Sequence, residues 1–125
     1  MPESVSDKIS NVFSGAPTED TSNQKKLRII HWNDVYNIES KEHKEIPGGS
    51  ARFVKAINEA QEKAKEEGIE YFTVFSGDLL GPSLISTIYE GQQTVYPFNR
   101  CKVDVAMIGN HELDFGVGKM VEILG

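Results

Sequence analysis

The stretch VDVAMIGNHELDFG, residues 103–116, carries two patterns in succession. A β-branched, apolar run halts at Gly109, and an amide, an imidazole and two carboxylates follow at Asn110, His111, Glu112 and Asp114. A buried strand gives way to a loop in this manner. The same change occurs twice upstream: LRIIHW at 27–32 ends in NDVYN, and EYFTVF at 70–75 ends in SGD.

Helical patterns separate the three runs. Ser50 is placed to cap a helix in which Phe53, Val54, Ile57, Ala60 and Ala64 recur at helical spacing, with Gly68 closing it. LLGPSLISTIYEG reads as a second helix, opened by Pro82 and closed by Gly91, followed by a linking segment around Tyr96, Pro97 and Phe98. GVGKMVEILG opens a further helix. Alternation of this kind predicts the α/β class, with parallel strands joined by right-handed helical crossovers. The carboxyl ends of parallel strands share one edge, so the three loops should gather there. A sheet of only three strands is also expected to leave one face uncovered.

Upstream of Lys26, Val5, Ile9, Val12 and Phe13 fall at helical spacing, and APTEDTSNQ then supplies only turn-forming and solvating residues. Residues 1–26 are therefore expected to be a mobile polar tail ahead of a domain at 27–125.

The predicted edge collects Asn33, Asp34, Asp78, Asn110, His111, Glu112 and Asp114. Carboxylates, a carboxamide oxygen and imidazole suit hard or borderline cations such as Mn, Mg, Zn or Fe. Clustered carboxylates repel one another, and a divalent cation relieves that repulsion. The single cysteine, Cys101, permits neither an internal disulfide nor a cysteine-rich zinc site and is expected to be a buried filler. A net charge of -6 argues against nucleic acid or anionic lipid as a partner held by charge alone. With no signal-like start and no apolar run of membrane-spanning length, a cytoplasmic location is expected.

These blocks resemble a known family. Asp34 in NDVY, Gly77-Asp78, and GNHELDFG are similar to the first three motifs of the calcineurin-like metallophosphoesterases, and GGSAR at 48–52 resembles their 5'-nucleotidase branch. The resemblance covers roughly residues 27–125. It implies the N-terminal half of a four-layer α/β sandwich, incomplete at the C-terminus, which would need the rest of its own domain. It also implies two divalent metal ions, with Asp34 a ligand of the first, Asp78 the bridge and Asn110 a ligand of the second. His111 and Asp114 become the catalytic pair, and the substrate a nucleotide or other phosphoester.

Two departures stand out. The first motif in many members has a histidine ligand where this chain has Tyr36, and the histidines that complete both metal shells come from later motifs not found before Gly125. Of the other histidines, His43 lies in the charged KEHKE segment and His31 inside the first strand, where burial among apolar neighbours is expected. Glu112 is expected to orient ligands rather than touch metal.

Overall fold

The computed structural model describes residues 24–40 and 48–125. Most of the expected tail, and His43, lie outside the described residues.

The architecture is α/β. Strands β1 (Leu27–Trp32), β2 (Glu70–Phe75) and β3 (Val105–Ala106) form a three-stranded parallel sheet in the order β1-β2-β3. Leu27 pairs with Glu70 and Trp32 with Phe75, so both longer strands end at the same level. The VDVAMI run contributes only two strand residues, but its hydrogen bonds extend further: Asp104 N–H donates to Thr73 O and Met107 N–H to Phe75 O, each at 2.9 Å.

Helix α1 (Ser50–Glu66) connects β1 to β2, and α2 (Leu84–Tyr89) and α3 (Val95–Arg100) connect β2 to β3. Helix α4 (Val117–Leu124) follows the third loop. Helices α1 and α3 cover the same face of the sheet, as crossovers of a single hand require. The pleat turns Ile30, Trp32, Thr73 and Phe75 toward them. Trp32 meets Phe53 edge-on with ring centroids 5.4 Å apart, and Phe75 meets Phe98 at 5.0 Å. Buried Gln61 joins the layers, donating to Thr73 Oγ1 at 2.9 Å and to Cys101 O at 2.8 Å. Cys101 is itself buried, and loss of solvation pushes its thiol up to about 11.

The opposite face of the sheet is open. Ile29 is 64% exposed, Phe72 50% and Met107 66%. That openness corrects the expectation for His31, which shares the uncovered side and is exposed rather than buried, with its Nε2 2.7 Å from Ser76 Oγ.

Helix ends differ from expectation in two places. Gly49, with a positive φ of 91°, precedes α1, so Ser50 is its first residue and makes no cap. Ser83, not Pro82, caps α2: its hydroxyl accepts from Ser86 N–H, while the Ser86 hydroxyl accepts from Ser83 N–H. The segment read as a link is helix α3, because Pro97 falls within its first turn, where an N–H has no intrahelical partner to lose. Phe98 packs against the core, whereas Tyr96 is 74% exposed.

Candidate functional site

The three loops meet at the carboxyl edge. Asp34 and Asp78, one residue into the turn after Asn33 and Gly77 respectively, both adopt the left-handed region, with φ 59° and 65°. Few side chains tolerate that conformation, and aspartate is one of them. Backbone bonds lock the first two loops together: Asp34 N–H donates to Gly77 O at 3.1 Å and Val35 N–H to Asp78 O at 2.9 Å. Around Asp34 the carboxylate accepts from Asn33 Nδ2 and from the Tyr36 hydroxyl. The hydrogen bond to Asp34 foremost, then loss of solvation and the surrounding negative charge, push the Tyr36 phenol up to about 12.

The third loop closes onto the second through close contact. A Cβ on Gly109 would lie 2.2 Å from Asp78 Oδ1, and one on Gly77 would lie 2.6 Å from Gly109 N. Only glycine at both positions permits this approach. Glu112, 1% exposed, fills the interior of the junction. Its Oε2 accepts from Asp78 N–H at 2.9 Å and Gly109 N–H at 2.5 Å, and its Oε1 from Leu79 N–H and from Leu80 N–H at 3.2 Å. The side chain thus shapes the turn that presents Asp78. Its position three residues after the close-approach glycine is the sequence signal for that role.

His111 begins a short 3₁₀ turn (His111–Leu113). Its N–H donates to Asp78 Oδ1 at 3.0 Å, and its Nδ1 lies 2.8 Å from Asp114 Oδ2. A carboxylate can only accept, so Nδ1 carries the hydrogen and Nε2 is left for other partners. The ring also meets Tyr36 edge-on, with centroids 5.8 Å apart. The hydrogen bond that His111 donates to Asp114, reinforced by the charges of Asp114, Asp78 and Glu112, raises the His111 pKa above its ordinary 6.5. The structure thus brings Asp34, Asp78, His111 and Asp114 to one edge, with Asn110 at the head of the third turn.

No family model and no curated protein matches this chain. The residues therefore speak for themselves. Among the described residues, no group of three or more His, Cys, Asp or Glu side chains is arranged to hold a metal ion. The donor set of Asp34, Asp78 and Asn110 fits a hard divalent cation in kind and falls short in number of two complete shells. Beside Asp34 and Tyr36 lies an open cleft of about 660 Å³ that reaches Gly49, Arg52 and Phe53. Among the described residues no helix is long and apolar enough to cross a membrane.

The His111–Asp114 pair yields a pH prediction. A raised histidine pKa contributes stability that is fully present below the unfolded value near 6.5 and is lost as pH rises through the folded value. Asp114→Asn should return the His111 midpoint toward 6.5, read by NMR titration of the ring protons. The stability difference between the two proteins should be largest in mild acid, where His111 is charged and Asp114 still ionised, and close as pH rises. An unchanged midpoint would show that Asp114 does not hold the ring.

Proposed function

We propose that residues 27–125 form the N-terminal part of a calcineurin-like metallophosphoesterase domain of the 5'-nucleotidase type, a four-layer α/β sandwich that hydrolyses the phosphate ester of nucleotides. The observation that carries this reading is the convergence of two left-handed aspartates, Asp34 and Asp78, with the His111–Asp114 pair on one parallel-sheet edge. Unusual backbone angles of this sort concentrate where ligands are held.

Asp34, Asp78 and Asn110 would hold the metal ions, with Asp78 donating to both. When bound, such a cation pair lowers the pKa of a water and neutralises charge on phosphoryl oxygens. The chain's own share is positional. Glu112 shapes the Asp78 turn, and Asp114 fixes the His111 ring so that Nε2 can donate a proton to the leaving oxygen. The raised His111 pKa keeps that proton in place closer to neutral pH.

The test uses the natural polypeptide that carries these residues, captured through an antibody against Ser50–Glu66. It should release phosphate from a nucleoside monophosphate in Mn²⁺, lose that activity to a chelator and regain it with added Mn²⁺. Release that survives chelation, or preference for a bis-phosphodiester, would defeat the nucleotidase reading. One observation favours a second reading, a non-catalytic binding module: the open apolar face of the sheet, which suits association. A natural polypeptide inactive toward both substrate types at every metal concentration would support it.

A further inference from the structure

Tyr36 stands between the first loop and the third. Its hydroxyl donates to Asp34 Oδ1 while Asn33 Nδ2 donates to Oδ2, so both oxygens of that carboxylate are held within their own loop. Its ring meets the His111 imidazole at an interplanar angle of 86°, an edge-to-face contact of favourable geometry. The bond from Asp34 N–H to Gly77 O holds the backbone at this point, but it does not set the direction of the carboxylate, which turns about its own side-chain bonds. Something local must aim the carboxylate.

We propose that Tyr36 is a positioning residue that couples the first loop to the His111–Asp114 pair, its hydroxyl aiming the Asp34 carboxylate and its ring edge holding the His111 imidazole. The assignment rests on the metallophosphoesterase reading for what Asp34 and His111 do. The Tyr36 oxygen meets an acceptor in the Asp34 carboxylate, and its ring meets His111 across the gap between the loops. Hydrogen-bond partners behind a carboxylate ligand typically set metal affinity by about 10-fold to 100-fold.

Two variants separate the two contacts. Tyr36→Phe removes the hydroxyl and keeps the ring, whereas Tyr36→Leu removes both. Mn²⁺ binding to the natural polypeptide is read by electron paramagnetic resonance, and the His111 ring signals by NMR of the metal-free protein. Tyr36→Phe should weaken Mn²⁺ binding by about 10-fold or more while the His111 signals hold their positions. Tyr36→Leu should weaken binding equally and move those signals as well. Wild-type affinity in Tyr36→Phe, or unmoved His111 signals in Tyr36→Leu, would overturn the coupling. If an Asp78→Asn control binds Mn²⁺ as tightly as wild type, the metal reading itself fails and takes the Asp34 half of the proposal with it, a pattern distinct from either of those results.

Discussion

Asp78→Asn is expected to lower metal-dependent phosphate release by at least about 1000-fold, which corresponds to roughly 4 kcal/mol of transition-state stabilisation. The substitution is chosen because it separates chemistry from folding. Asparagine tolerates the left-handed conformation at φ 65°, and its carbonyl oxygen can still accept from His111 N–H. The backbone N–H of residue 78 also continues to reach Glu112. What disappears is the negative charge of the donor proposed to serve both cations. Steady-state phosphate release by wild type and variant, with unfolding curves recorded alongside, checks both halves. Full activity in a folded variant would sink the metal-site reading, because no other described residue is offered as the bridge.

Glu112→Ala should show the opposite profile, a loss of stability of about 3–5 kcal/mol. Four backbone N–H groups, from Asp78, Leu79, Leu80 and Gly109, converge on this one buried carboxylate. Leu79 and Leu80 are themselves buried, so water does not easily replace the lost acceptor. For a chain of this length the midpoint of thermal unfolding should fall by more than about 10 °C. Glu112→Gln sharpens the argument. Each oxygen serves two donors, so a carboxamide can satisfy one pair only and must turn its NH₂ against the other. Urea unfolding should therefore place Gln between Glu and Ala. An alanine variant within about 1 kcal/mol of wild type would show that the junction holds without its carboxylate.

Much of this site is legible in the sequence. Each strand announced its end by an abrupt switch from apolar to polar residues, and parallel topology then forced NDVYN, SGD and GNHELD to one edge. The extents of β1 and β2 follow from the same switch. Other features depend on information that a local pattern does not hold. Whether His31 is buried depends on which face the helices cover, and that is settled by packing across the whole sheet. Pro97 looked like a break because its effect depends on which turn of a helix it occupies. The edge contact between Tyr36 and His111 joins residues far apart in the chain, and neither local sequence hints at the other. The carboxylate of Glu112 was expected behind the ligands, but its number of partners became visible only once the two loops were in contact.

The reach of Glu112 also bears on the order of events as the polypeptide emerges from the ribosome. The amides of Asp78, Leu79 and Leu80 wait for an acceptor that lies more than thirty residues downstream. A nascent chain that stops short of Glu112 can pair β1 with β2 and dock α1, but its second turn has no partner for three donors. Until the third loop arrives, the second turn is held by the bonds that Asp34 and Val35 donate to Gly77 O and Asp78 O, and translation must pass residue 112 before its own three amides find their acceptor.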